Sequence, residues 1–236
     1  MKALALVAAL SLTLSLAANA QDSKQSLKSN GVRKQGSEAA ATIDVGAIQK
    51  KIDAYTDAIK DEPKNDRYYG ARGQLNMMAG KFDKAIKDLT TAISLNPRRS
   101  AYFEVRGDVY AKANKARDAF EDYSKALKVG TPSHYLYLHQ ASAAVLMDDY
   151  KSAEAPAKSA LELQPKDVKT LSLIGGIERE LGKLQESLQY LNTAISLDPT
   201  NAYLLKSRAD TYIKLGRKDL ANTDLNLSKK LDITGR

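Results

Sequence analysis

Small and large apolar residues return along this chain at matched points every 34 residues. AISLNP at 92–97 comes back as AISLDP at 194–199, 102 residues later. ALKVGT at 126–131 and ALELQP at 160–165 stand at the 34-residue steps between them. A fixed period of this length points to a repeat architecture. With position 1 set at Asp66, Ser100, His134, Val168 and Ala202, five units align without an insertion.

Position 8 is always tiny: Gly73, Gly107, Ala141, Gly175 and Ala209. Position 20 is Ala85, Ala119, Ala153, Ser187 and Ala221, and position 27 is Ala92, Ala126, Ala160, Ala194 and Ser228. Small residues at matched points let two helix backbones approach closely. Larger residues are expected to fill the space around them: Leu89, Tyr123, Leu191 and Leu225 at position 24, and Leu95, Val129, Leu163, Leu197 and Leu231 at position 30. Position 15 holds Gly80, Asn114, Asp148, Gly182 and Gly216, residue types that tolerate the left-handed backbone at a helix end. The spacing therefore predicts two helices per unit, one over positions 1–14 and one over 18–30. Pro97, Pro165 and Pro199 at position 32 stop the second helix, and Pro132 does so one residue late in the second unit. Pro156, inside the second helix of the third unit, is expected to kink or shorten it.

The predicted organisation is repeat one at 66–99, repeat two at 100–133, repeat three at 134–167, repeat four at 168–201 and repeat five at 202–236. Residues 44–65 keep the register in part (Gly46, Tyr55, Ala58, Pro63) and predict a lone capping helix over the first flank. At the far end the stacking positions turn polar. Position 21 is Ile86, Phe120 and Leu188 within the array but Asn222 in the last unit, and position 28 changes from Ile93, Leu127, Leu161 and Ile195 to Lys229. The stack is expected to end there.

Two positions co-vary among the units. Position 7 is Arg72, Arg106, Gln140, Ile174 and Arg208, and position 23 is Asp88, Asp122, Pro156, Tyr190 and Asp224. Each unit with the Arg has the Asp. This predicts three structural ion pairs between a first helix and the second helix folded back beside it: Arg72–Asp88, Arg106–Asp122 and Arg208–Asp224.

The pattern resembles the tetratricopeptide repeat family, with its small residue at 8, Ala at 20 and 27, Pro at 32, and aromatics at 4 or 11 (Tyr69, Phe103, Tyr110, Tyr137, Tyr212). The resemblance runs from Asp66 to about Asp232. It implies an all-α, right-handed superhelical solenoid of antiparallel helix hairpins with a concave groove for a protein or peptide. It also implies that positions 2, 5, 9, 12 and 13 of the first helices line that groove. Carried over, repeat one offers Arg67, Met77 and Met78, and repeat two offers Lys112. Repeat three offers Tyr135, Leu138, Ser142, Val145 and Leu146, the most apolar set, where a Tyr with aliphatic neighbours suits a contact hot spot. Repeat four offers Lys169 and Arg179, and repeat five Tyr203 and Lys206. Burial of the repeat-three set by adjacent helices is the competing reading. Position 6 has no Asn, so the carboxylate clamp of some members is not expected.

Composition and the first residues then set the context. Lys2, an uncharged run from Ala3 to Leu16 and Ala18-Asn19-Ala20 have the pattern of a signal peptide over 1–20, cleaved after Ala20. Residues 21–43 are Ser-, Lys-, Gln- and Ala-rich and are expected to form a disordered lead. An exported protein follows, in a periplasm first and extracellular second, with no transmembrane segment after cleavage. The chain has no Cys, which removes thiol chemistry and disulfides. Its two histidines, His134 and His139, miss the spacing of a helical metal pair, and no hydrolase or phosphate-loop motif occurs. No cofactor, no metal and no catalysis are expected. The net charge of +8 is concentrated at the two ends. Nucleic acid is not the expected partner, but a charge-driven binder of anionic polymer, lipid surface or nucleic acid is the alternative to a groove scaffold. Self-association stays open.

Overall fold

The computed structural model describes residues 45–234. The expected signal peptide at 1–20 and lead at 21–43 lie outside the described residues. Among those described there are eleven helices and no strand. A lone helix, α1 (Val45–Asp61), comes first. Five hairpins follow: α2 (Asp66–Met78) with α3 (Phe82–Leu95), α4 (Ser100–Lys112) with α5 (Ala116–Val129), α6 (His134–Leu146) with α7 (Tyr150–Leu163), α8 (Val168–Glu180) with α9 (Leu184–Leu197), and α10 (Ala202–Lys214) with α11 (Lys218–Thr234). Each helix packs mainly on its neighbours in sequence, which makes residues 45–234 a solenoid.

The turns explain why each unit folds back. Gly80, Asn114, Asp148, Gly182 and Gly216 all have positive φ, between 57° and 79°. This left-handed residue ends the first helix and reverses the chain. Side chains of Asn65, Ser133, Asp149, Asp167 and Asn201 accept backbone N–H groups at the starts of α2, α6, α7, α8 and α10. Each such cap stabilises its helix by about 1 kcal/mol.

Close backbone approach then sets the core. Ala85, Ala119, Ala153, Ser187 and Ala221 are buried, as are Ala92, Ala126, Ala160, Ala194 and Ser228. Leu89, Tyr123 and Leu191 fill the space opposite glycines, and a Cβ on Gly73, Gly107 or Gly175 would come within 2.8 Å of them. Where position 8 is Ala141, the facing residue is the small Ala157, and both are fully buried. Burying each large side chain is worth roughly 1.5–3 kcal/mol.

Two expectations are corrected. Position 30 does not fill the core: Leu95, Val129, Leu163 and Leu197 are exposed. That position turns away from the partner helix, about 120° round from position 24 at 100° per residue. Nor does Pro156 shorten its helix, since α7 keeps the same 14 residues as α3, α5 and α9. Tertiary packing through the buried Ala153, Ala157 and Ala160 holds α7 despite one missing backbone bond. At the end of the array Asn222 and Lys229 are exposed. So are Leu220 and Leu227, on a different stripe of α11 that the repeat pattern did not single out.

Candidate functional site

The first helices form the inner side of the solenoid. α2 touches α4, α6 touches α8 and α8 touches α10, whereas second helices of adjacent hairpins do not come as close to one another. Crowded first helices and splayed second helices make a curved face with the first helices inside it.

The groove candidates divide on this face. Tyr135, Leu138, Ser142 and Val145 are half-buried, and Leu146 is 57% exposed. Met78, at the same repeat position as Leu146 but two repeats earlier, is exposed, whereas Met77 is not available. It is 8% exposed and belongs to the core with Ala85, Leu89 and Tyr102. One residue step is a 100° turn of the helix, enough to send the two methionines to opposite environments. Arg67, Lys112, Lys169, Tyr203 and Lys206 are exposed. Lys206 is drawn to Asp232 at 2.6 Å. Arg179 is half-buried and ties two repeats together, with Glu180 at 3.0 Å and the Ser207 carbonyl at 3.3 Å.

The co-varying positions meet. Arg72 Nη2 donates to Asp88 at 2.7 Å, Arg106 Nε to Asp122 at 2.6 Å and Arg208 Nη2 to Asp224 at 2.7 Å. Each pair is bidentate. The third guanidinium nitrogen reaches the element before its own repeat: Thr56 on the lone helix α1 for Arg72, and Thr90 and Asn192 in the preceding hairpins for Arg106 and Arg208. Each arginine also lies near an aromatic ring of its own first helix, 5.8 Å from Tyr69, Tyr110 and Tyr212. The clamp thus joins two helices of one repeat and staples that repeat to the second-type helix before it, α1 in the case of repeat one. Repeat three keeps only the staple, with Gln140 donating to Ser124 at 2.8 Å. Repeat four replaces the clamp with apolar packing of Ile174 beside Tyr190. Its staple moves to a cluster around the fully buried Glu178, where Lys158 lies at 2.9 Å and Lys183 at 3.3 Å, with Glu154 bound to both lysines.

The most polar part of the groove lies where α4 faces α6. Asp108 accepts from Tyr123 at 2.8 Å and from Tyr135 at 2.8 Å. The Tyr135 ring stacks on His139 with centroids 4.0 Å apart. His139 Nδ1 stands 3.7 Å from Asp108. One turn earlier on the same face is Glu104. Loss of hydration pushes Asp108 up to about 6, against the pull of the two tyrosine hydroxyls and the Lys112 charge. Glu104 rises to about 7, first from loss of hydration and then from repulsion by Asp108. Burial also lowers His139 to about 4, so that its imidazole is neutral at pH 7. Tyr123 and Tyr135 are both raised by burial and by the carboxylate they face. Glu104 and Asp108 stand at positions 5 and 9 of repeat two, which the family resemblance implies line the groove. Their only signal was the i, i+4 spacing of two acids.

Among the described residues no group of three or more His, Cys, Asp or Glu could hold a metal ion. No described helix is long and apolar enough to cross a membrane.

Comparison with known proteins agrees with this architecture. Residues 71–134 and 168–201 each match a tetratricopeptide repeat family model. No curated protein matches the chain. Among solved structures, it is similar to YrrB, described as a TPR protein with an unusual peptide-binding site, at 20% identity and a TM-score of 0.69, over 76% of this chain and 93% of that one. It is similar to MamA from Desulfovibrio magneticus RS-1 at 15% identity and a TM-score of 0.69, over 72% of this chain and 96% of that one. A tetratricopeptide repeat protein from Parabacteroides merdae ATCC 43184 matches at 21% identity and a TM-score of 0.66, over 82% of each chain. At these identities the likeness speaks to the fold. The chain carries tetratricopeptide repeats, and its described part has the solenoid fold of proteins built from them.

Proposed function

We propose that this protein is an exported, non-enzymatic scaffold that binds a protein or peptide along the inner face of its first helices. The observation that carries this reading is the half-open stretch Tyr135, Leu138, Val145 and Leu146 on α6, apolar and inside the curve of the array. Leu146 is 57% exposed, and apolar side chains exposed together mark contact surfaces. YrrB, a neighbour in fold, is described as having a peptide-binding site, which is consistent with this use of the architecture. The charge-driven alternative gains nothing from this face, whose middle carries Glu104 and Asp108. Export rests on the pattern of residues 1–20.

Display of random peptides against the mature chain tests the groove. Selected peptides should lose at least tenfold in affinity to Leu138→Glu and Leu146→Glu, with the melting temperature nearly unchanged. Undiminished binding to both variants would remove the groove from the account. Intact mass of the protein from its native host tests export. A chain starting at Gln21 is expected, and a mass that includes residues 1–20 would end that part of the reading.

A further inference from the structure

We propose that Glu104 and Asp108, walled by Tyr135 and His139, form a subsite for a lysine or arginine side chain of the bound peptide. The proposal rests on the groove reading and adds the chemistry of one residue of the partner. Its basis is a contrast in how this protein treats its carboxylates. Asp88, Asp122 and Asp224 are buried, and each holds a guanidinium at 2.6–2.7 Å. Buried Glu178 has an ammonium at 2.9 Å. The groove pair differs. Among the described residues, the ion-pair contact of Asp108 is His139 at 3.7 Å, and burial keeps that imidazole neutral at pH 7. Lys112, one turn further along α4, is exposed and lies outside ion-pair range. Two like charges one turn apart repel, and partial burial raises the cost of leaving them without a counter-charge.

A cation entering from the groove would relieve both. The surroundings suit a long basic side chain. The Tyr135 ring, held flat on His139 and pinned by its hydroxyl to Asp108, offers an aromatic surface beside the acids. Arginine stacks on such a surface, and lysine lays its methylene stem along it. Leu138 and Val145, further along α6, would take apolar neighbours of the basic residue.

Protonation is linked to binding. The titratable and charged groups that face the pair are Lys112 from α4, Tyr123 from α5, and Tyr135 and His139 from α6. A cation binds the ionised carboxylates, so affinity should fall as the pH is lowered through the range in which Glu104 and Asp108 take up protons, about 7 and about 6.

The test uses capped nonapeptides of Ala, Leu and Ser that share one sequence except for a central Arg, Lys, Gln or Glu, titrated against the mature chain by fluorescence anisotropy. The Arg and Lys peptides should bind roughly tenfold tighter than the Gln peptide, as hydrogen bonds to a charged group imply. That advantage should shrink from pH 8 to pH 5.5. Glu104→Gln, which leaves the tyrosine bonds to Asp108 intact, should cut it to about threefold. Adding Asp108→Asn should abolish it, and Glu104→Lys should turn the preference toward the Glu peptide. Equal binding of all four peptides, lost in Leu138→Glu, would overturn the cation subsite and leave the groove reading standing. No binding of any peptide at about 1 mM would overturn both.

Discussion

Asp122→Ala is the sharpest test of what holds adjacent repeats together. In the folded protein Asp122 is 2% exposed and receives Arg106 Nε at 2.6 Å and Nη2 at 2.9 Å. Truncation leaves that guanidinium facing an apolar wall, with only Thr90 at 2.8 Å still accepting. Removing one partner of a buried pair costs roughly 3–5 kcal/mol. The Arg106 side chain is 12% exposed, so water reaches part of it and the lower end applies, about 3 kcal/mol. The other two clamps have arginines at 19% and 21% exposure, and the same change at Asp88 or Asp224 should cost less, about 2 kcal/mol. Equilibrium urea unfolding of the protein, followed by far-ultraviolet circular dichroism, gives the values. Arg106→Leu combined with Asp122→Ala should be less damaging than the sum of the two single changes, because the double variant leaves no charge stranded. Repeat four already lives without the pair by using Ile174 and Tyr190. A loss below about 1 kcal/mol for Asp122→Ala, or strict additivity in the double variant, would refute the idea that the clamp is a buried staple.

Four other outcomes follow from the structure. Gly107→Ala should destabilise by about 1–2 kcal/mol in urea unfolding, because its Cβ would sit 2.8 Å from the Tyr123 ring, which is buried and tied to Asp108. Gly176→Ala should instead stabilise by about 0.5–1 kcal/mol, since a Cβ there meets nothing within 4 Å. Pro156→Ala should raise the thermal midpoint, with a gain of up to about 3 kcal/mol, by restoring a backbone bond inside α7; an unchanged midpoint would mean that α7 has already relaxed around the ring. Glu104→Gln should change stability only at higher pH. The native Glu104 titrates near 7, above its ordinary 4.5, so the folded state holds the proton more tightly and stability falls as pH rises between those values. The variant should equal the parent at pH 4.5 and exceed it by about 1 kcal/mol at pH 8, read from paired melts; a constant offset across pH would show that the carboxylate is not strained.

The parts of this fold that could be read from sequence are those that a single residue type enforces. Only Gly, Asn and Asp readily accept positive φ, so the five residues at position 15 mark five hairpin turns. A buried charge needs its partner, so co-variation of Arg and Asp marks three contacts between residues 16 apart. What was not legible depends on angle and depth. Met77 and Met78 differ by one step of the helix, and a repeat template carried over from a family does not resolve which of them points inward. Position 30 reads as core because it is always aliphatic, yet Leu163 is 51% exposed. Glu104 and Asp108 look like ordinary surface acids in sequence. Their raised proton affinity comes from α6, which begins 26 residues after Asp108 and covers them. Likewise nothing in the string around Glu178 announces that Lys158 and Lys183 converge on it.

The central claim is that the inner face of the first helices, and not the outer face, meets the partner. A photo-crosslinking amino acid placed at two exposed leucines in the native host tests it most directly. Leu146 lies on the inner face at 57% exposure, and Leu163 lies on a second helix at 51%. Similar exposure makes the two sites equally able to react. The account predicts a discrete crosslinked adduct from position 146, absent from position 163 and lost when Leu138→Glu is added. Adducts from position 163 with none from position 146 would contradict it.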